Sequence, residues 1–388
     1  MTKYTLFMIF LIVLVRCHSD ADKIQFTSNE LIEFEKIKVD FNAPKFKWGY
    51  LNKEGALSIK DKYDDLREFS EGKAAYNSDG LWGYLNIDGS IFLPARYRTV
   101  ETYSEERAVV QDLNNKYHLI DHNGDIISDS MQYEKVNKFL DGKALIKDSQ
   151  RYGYIDKHGV LVIEMDYEYA TDYIGGLAIV TQNRKQGMID TDGFIVIPLK
   201  YDKIWPVKYG MIRYKVNDKF GYIDFESKKE VFKTFSSATD FQYDHAVIDN
   251  GNKYLLIDKS GKTTHLPYSL VDHGGEGKWI YALGASFGFL NNDGSILCSP
   301  NYDLVMRYRE DRAGFAINGI WGYLDEKGKI IIPPKYPIVW DFVGGHARMI
   351  GQRGFGFINK DGDDILPSAY MEVRDFSEGL ARIQVYRK

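Results

Sequence analysis

Trp48-Gly49-Tyr50-Leu51 returns as Trp82-Gly83-Tyr84-Leu85, and this repetition decides the fold. The string comes back as Tyr152-Gly153-Tyr154-Ile155, Phe220-Gly221-Tyr222-Ile223, Phe287-Gly288-Phe289-Leu290, Trp321-Gly322-Tyr323-Leu324 and Phe355-Gly356-Phe357-Ile358. Three weaker copies fill the gaps: Tyr117-His118-Leu119-Ile120, Gln186-Gly187-Met188-Ile189 and Tyr254-Leu255-Leu256-Ile257. The first position falls at 48, 82, 117, 152, 186, 220, 254, 287, 321 and 355, so nine steps cover 307 residues, a mean of 34.1. A fixed period of this length marks a chain built from tandem supersecondary units.

Other residues keep the same beat. After each anchor string comes a turn Gly, as in Asp88-Gly89, Asn123-Gly124 and Asp361-Gly362. Such pairs favour a type I′ hairpin, which needs positive φ at both central residues. The sixth unit has Glu226-Ser227-Lys228-Lys229 instead, so an irregular hairpin is expected there. A β-branched run follows, such as Ile195-Val196-Ile197, often closed by Pro, and then a Tyr such as Tyr63, Tyr97 or Tyr336. An acidic turn (Phe69-Ser70-Glu71-Gly72, Phe376-Ser377-Glu378-Gly379) leads to a small residue such as Ala74 or Ala381. Each unit reads as an antiparallel meander with the Ala, the anchor string and the β-branched run on three strands and the Tyr on a shorter fourth. Alternation puts Trp82 and Tyr84 on one face and Gly83 and Leu85 on the other. A Gly inside a strand is unfavourable unless something needs the space, and adjacent units stacking over it would supply that need. His118 and Leu255 replace it, so the third and seventh units are expected to pack differently.

The composition agrees with an all-β chain. Its 388 residues include 28 Tyr, 22 Phe, 6 Trp, 35 Gly and only 10 Pro. The net charge of −5 and the absence of a basic stripe argue against a nucleic-acid binder. Short meanders in tandem form either a closed propeller or an open solenoid. The chain finishes on Leu380-Ala381-Arg382-Ile383 with no anchor after it, while Trp48 follows Ile37-Lys38-Val39-Asp40, which lacks the small residue. If the last strand completes the first unit, a ring closes. Ten units exceed the usual four to eight blades, so a propeller-like stack is the first expectation and an open β-solenoid the alternative. A bend would fall in the imperfect sixth and seventh units, about 220–285.

These features resemble the WG repeat family, also called KWG repeats, whose consensus runs Trp-Gly-Tyr-Ile-Asp, Gly, a β-branched run, Pro, Tyr-Asp and Phe-Ser-Glu-Gly-Leu-Ala. The unit from Trp321 to Val343 and the segment Phe376 to Ile383 match it almost residue for residue. The resemblance covers about 40–388. It implies a bacterial protein, often secreted or surface-attached, and no catalytic residue.

Leu6 to Val15 is ten apolar residues in a row, too short to span a bilayer and the length of a signal-peptide core. Leu14-Val15-Arg16-Cys17 resembles a bacterial lipobox, although Arg16 occupies a slot that usually holds a small residue. Residues 1–17 therefore read as an export signal, with Cys17 as a lipidation site, 18–36 as a tether and 37–388 as the repeat region. A cell-envelope or secreted address follows. Cys298 then has no disulfide partner and reads as a small buried hydrophobe.

Signals for chemistry are sparse. His118 and His122 have a metal-pair spacing but straddle a hairpin, and His158 lies in a turn. Asp361-Gly362-Asp363-Asp364 is far short of a calcium loop. Gly274-Gly275-Glu276-Gly277 does not lead from a strand into a helix, as a phosphate cradle would. No metal site, cofactor or catalytic set is read. The off-beat Trp205, Trp279 and Trp340 are the candidates for a ligand surface. Two functions are carried forward: a non-catalytic scaffold binding a protein or glycan partner at the cell envelope, and an envelope glycan hydrolase using clustered carboxylates.

Overall fold

The computed structural model describes residues 46–251 and 253–386. The leader, Cys17, the tether and the start of the repeat region at 37–45 lie outside them. The described residues form strands and turns, gathered into ten small antiparallel sheets. Along the second sheet the order is Asp65–Leu66, Lys73–Ser78, Leu81–Asn86 and Ile91–Tyr97. These are an opening strand, an Ala strand, an anchor strand and an outer strand. The first sheet is assembled from both ends of the repeat region. Phe46–Asn52 pairs with Leu380–Tyr386 in continuous register, from Phe46 opposite Tyr386 to Asn52 opposite Leu380. Glu372–Ser377 and Leu57–Tyr63 flank them. This pairing closes a ten-bladed β-propeller and excludes the open solenoid. The sixth and seventh units take their places in the ring as ordinary neighbours, not as a bend.

The anchor string explains why blades must sit side by side. Tyr84 and Leu85 are fully buried and point to opposite faces. Leu85 packs with Trp48, Tyr50 and Ile59 of the first blade. Tyr84 packs with Val100, Tyr103 and Val110 of the third. Burying such a side chain is worth about 2 kcal/mol, and a lone blade would leave both faces wet. Among the described residues, ten buried clusters each straddle one junction between neighbouring blades, the junction of the tenth with the first included. The buried Tyr hydroxyls add a directed tie. Tyr84, Tyr154, Tyr222 and Tyr323 donate to Glu101 O, Thr171 O, Thr239 O and Trp340 O at 2.6–2.7 Å, each in the next blade.

The anchor Gly has a different reason from the one its position suggests. A Cβ on Gly153 would lie 2.6 Å from Ile163 O, and one on Gly49 2.7 Å from Ile59 O. Both oxygens belong to the outer strand of the same blade, not to the neighbour. The outer strand bulges over the Gly: Tyr152 pairs with Tyr167, yet Tyr154 pairs with Ile163. Where the Gly is missing, the bulge is missing too. Leu255 faces His265 in a plain four-residue ladder. Beyond His118 the outer strand dissolves into two isolated bridges, leaving a three-stranded blade. The bulge also tolerates Pro94, Pro198 and Pro333, which lack a ladder donor.

Two further readings are corrected. The beat Tyr does not sit on a short fourth strand. Tyr97 ends the β-branched outer strand, and the short strand after it, Thr99–Val100, opens the next blade. In the Asp-Gly hairpin only the Gly has positive φ, as at Gly89 (φ 83°). Gly89 N donates to Asn86 O and Asn86 N to Ser90 O, a type I turn followed by a bulge instead of type I′.

The type I′ geometry appears in the acidic turn between the opening and Ala strands. Glu71 and Gly72 have φ of 53° and 72°, which presents their two N–H groups to the preceding blade. There the Glu378 carboxylate accepts from Glu71 N (2.7 Å) and Gly72 N (3.0 Å). Glu71 in turn accepts from Glu105 N and Glu106 N, and Glu105 from Gly142 N. Asp141 accepts from Gly176 N. Glu276 holds Glu310 N and Asp311 N, and Glu310 holds Gly344 N and Gly345 N. Ser70, Ser104 and Ser377 donate to the next blade's Tyr103 O, Phe139 O and Phe69 O. Phe-Ser-Glu-Gly is thus a latch: Phe fills the core, Ser and Glu reach forward, and Gly permits the turn. At two blades the carboxylate position is Gly, at Gly175 and Gly344. At two others it is Tyr, where Tyr209 stacks on Tyr243 at 4.8 Å.

The sixth blade is irregular as expected. Lys228 takes positive φ in its hairpin, and Tyr222 pairs with Phe232, one residue later than its equivalents. Its outer strand carries Glu230, which accepts from Tyr201 and Tyr214 hydroxyls (3.1 Å each) and pairs with Lys200 at 2.7 Å and Lys233 at 3.1 Å. The hydrogen bond from Lys200 leads the effects that hold its carboxyl down at about 2, against an ordinary 4.5.

Two outcomes follow. Gly153→Ala forces the outer strand off its bulge and lowers stability by about 3 kcal/mol, measured by denaturant unfolding; an unchanged midpoint would show that the bulge yields freely. Because the Glu230 pKa is lower folded than unfolded, its contribution is complete above the ordinary carboxylate range and lost as pH falls toward 2. Glu230→Gln therefore melts earlier than wild type at neutral pH, and the gap narrows on acidification.

Candidate binding surface on the inner wall

Neighbouring blades come closest through their opening strands and the turns after them, so these strands face the axis. Cross-blade contacts on this wall come from guanidinium groups: Arg213 Nη1 donates to Ala238 O, Arg382 Nη1 to Leu66 O, and Arg348 Nε to Asp375 at 2.7 Å. Each opening strand turns an apolar residue into the junction, buried at Leu66, Val100 or Ile204 and half-buried at Val305. Two positions follow it before the aromatic of the latch, and their chemistry changes from blade to blade. They are Arg67 and Glu68 in the second blade, Trp205 and Pro206 in the sixth, Asp272 and His273 in the eighth, and Trp340 and Asp341 in the tenth. The repeat leaves these positions free to vary because, apart from Met306, which packs against the junction of the ninth and tenth blades, their side chains stay out of the buried clusters.

Two of the three off-beat tryptophans lie here. Trp205 is half-buried, with the Arg213 guanidinium 4.1 Å from its ring centre and Phe220 stacked at 5.8 Å and 34°. Trp340 repeats the arrangement with Arg348 at 5.0 Å and Phe355 at 5.5 Å and 34°. Each is an aromatic and guanidinium platform of the kind that stacks on a sugar face or an aromatic side chain. The first two blades build relatives of it from beat residues, Arg382 over Trp48 and Arg67 over Trp82. Trp279 is corrected: it is fully buried in the junction of the seventh and eighth blades and donates its Nε1–H to Asn292 O at 3.2 Å.

A polar cavity of about 520 Å³ opens on the wall across the sixth to ninth blades, lined by Arg213, Asp240, Asp272, His273 and Arg307. Arg213 Nε stands 2.8 Å from Asp240 Oδ1 without the alignment of a hydrogen bond. Burial, reinforced by Arg307, lowers the His273 pKa and favours the neutral ring. Burial raises the carboxyl pKa of Glu101 in the third blade, opposed by Arg67, and of Asp341 in the tenth, opposed by Arg309. These perturbed groups stand on three separate blades and do not share one cleft.

The remaining sequence candidates have local partners. His118 Nε2 meets Asp112 at 3.1 Å, while His122 lies edge-on to Tyr103, so the pair does not converge. Asp361 N and Asp363 N both donate to Asn359 Oδ1, which makes the acidic run an ordinary turn. Gly274 O accepts from Tyr308 N at 2.6 Å, and a Cβ on Gly275 would collide with Tyr308 O, so this glycine run is a blade contact. His158 N is held by Asp156 in its turn. Cys298 packs in the junction of the eighth and ninth blades, its thiol pKa pushed up by burial. Among the described residues no group of three or more His, Cys, Asp or Glu could hold a metal ion. The forward-reaching carboxylates escaped the sequence reading, although the repeated Ser-Glu-Gly was the signal for them.

A search of curated proteins by sequence returned no match. Among solved structures, a eukaryotic initiation factor aligns over 75% of this chain and 95% of its own, at 8% identity and a TM-score of 0.45. BamB from Moraxella catarrhalis aligns over 74% and 94%, at 12% identity and 0.36. PorZ from Porphyromonas gingivalis, a bacterial surface component of the type-IX secretion system, aligns over 86% and 55%, at 13% identity and 0.27. Likenesses this distant carry nothing about function. The family described as WG containing repeat matches residues 48–82, 82–117, 152–185, 187–220, 287–319, 321–349 and 355–388. The gaps fall on the third, sixth and seventh units, where His118, the Gly-less hairpin and Leu255 depart from the pattern. With well over half of the chain matched and the repeat geometry present throughout the ring, the protein belongs to the WG repeat family.

Proposed function

We propose that the protein is a non-catalytic, exported scaffold that binds a protein or glycan partner at the cell envelope through the inner wall of its ring. The observation that carries this reading is the contrast between positions. The junction cores repeat from blade to blade, while the two wall positions of each opening strand vary and place half-buried Trp205 and Trp340 beside guanidinium groups. A repeat propeller is a scaffold suited to binding, and such variation is where specificity resides. The hydrolase alternative needs two carboxylates facing each other across one cleft. The raised acids Glu101 and Asp341 stand on the third and tenth blades, which favours binding over hydrolysis. The export reading rests on the leader sequence and on Cys17.

Immobilised wild-type protein and a W205A/W340A variant are challenged with solubilised envelope proteins and with envelope polysaccharide. The expected result is retention of one class by wild type and at least a tenfold loss in the variant. Equal retention by a variant that melts like wild type would remove the wall from the reading. The intact mass of the mature protein tests the address. A chain beginning at an acylated Cys17 supports a membrane tether, one beginning at His18 or later without lipid supports secretion, and one retaining Met1 overturns export.

A further inference from the structure

The latch ring contains its own record of what its turns bind. Six of the ten turns carry a carboxylate, at Glu71, Glu105, Asp141, Glu276, Glu310 and Glu378, and each carboxylate accepts one or two backbone N–H groups of the following turn. Paired N–H groups of this kind form an anion-binding concavity. The sequence supplies no side chain at Gly175. Among the described residues no acceptor meets the N–H groups of Tyr209 and Gly210 in the following turn. That turn has the same type I′ geometry as the others, with φ of 51° and 81°.

A second, independent feature lies at the same junction of the fifth and sixth blades. A largely apolar cavity of about 320 Å³ is lined by Ile174, Gly175, Val207, Lys208 and Phe225, among others; its one carboxylate, Asp172, accepts a hydrogen bond from Asn137 Nδ2 at 2.9 Å. It reaches the concavity because Gly175 occupies the position from which the sister carboxylates bond forward, and Lys208 immediately precedes Tyr209. The volume lies at the lower end for a ligand pocket and has room for an apolar side chain. Lys208 is exposed and has no carboxylate partner among the described residues. Ile174, two-thirds exposed, stands at the rim.

We infer that this junction binds the C-terminal carboxylate of a protein partner whose last residue is apolar. The terminal carboxylate takes the place of the missing Glu on Tyr209 N and Gly210 N, with Lys208 adding charge complementarity, and the last side chain enters the cavity. Capture of a chain terminus in a backbone concavity is an established mode of recognition. The other Gly of the ring at this position, Gly344, precedes the N–H groups of Glu378 and Gly379, where the Glu378 side chain brings negative charge, so that junction is the internal control. This site does not rest on the inner-wall reading.

The test uses the full chain and a fluorescein-labelled Gly-Ser hexapeptide ending in leucine, read by anisotropy. The peptide with a free terminus binds at least tenfold more tightly than its C-terminal amide, and more tightly than free 4-methylpentanoate competes. Gly175→Glu installs the sister carboxylate at φ 61°, where Glu71 and Glu105 sit at 53° and 56° and nothing within 4 Å would meet the new Cβ. This variant folds, keeps Trp205 and Trp340 in place, and loses the peptide at least tenfold, while Gly344→Glu retains it. Equal binding of acid and amide, undiminished binding to a folded Gly175→Glu, or no binding up to about 1 mM overturns the assignment. Binding of 4-methylpentanoate without binding of the peptide reassigns the site to a small carboxylic acid and overturns the protein partner.

Discussion

No blade of this molecule has a core of its own. Each anchor strand sends an aromatic or long apolar side chain forward and a Leu or Ile backward, so every buried cluster belongs to two blades at once. A linear array under this constraint would end in two bare apolar faces and would need polar caps. The chain instead spends its first and last described strands on a shared blade, and the ring has no end to cap. The anchor-strand Tyr hydroxyls and the latch carboxylates add direction, since they reach from one blade to the next around the ring.

Much of this was legible in the sequence, because the residues that build junctions recur at a fixed period. The anchor string, the turn Gly and the closing Ala fell on the strands and turns expected of them. The readings that failed share one cause: the sequence shows where a residue recurs but not which backbone it meets. The anchor Gly was assigned to the neighbouring unit, whereas its missing Cβ makes room for a carbonyl of its own blade. Tyr97 was placed on a separate strand because a two-residue opening strand such as Thr99–Val100 has too little pattern of its own. Trp279 looked like a ligand residue because it is off the beat, yet the eighth blade uses it as core. Ten units seemed too many for one ring, and only the register of Phe46–Asn52 against Leu380–Tyr386 decides closure.

The site was legible only as a contrast. Positions that repeat are structural, and positions that vary are released for other work. Trp205 and Trp340 were found by that rule. The glycines at 175 and 344 were not, because there the departure is the loss of a side chain from a turn whose role was itself unread. The same rule divides the ring into two working regions: a wall whose chemistry changes at each blade, and a rim where a common carboxylate and N–H pairing is interrupted.

The split first blade also imposes an order on assembly. Nine blades are each written in one continuous stretch of chain and can form as that stretch is made. The first waits, its outer half holding no partner until the strands at 372–386 arrive. During that interval the growing protein is an arc with an apolar face at either end, the state in which multidomain and repeat chains most readily misassemble. Two such arcs could exchange their closing strands and lock as a swapped dimer with every native contact satisfied. The ring that removes the need for caps therefore leaves its fidelity to a single late pairing, and speed of closure relative to encounter between chains sets the yield of monomer.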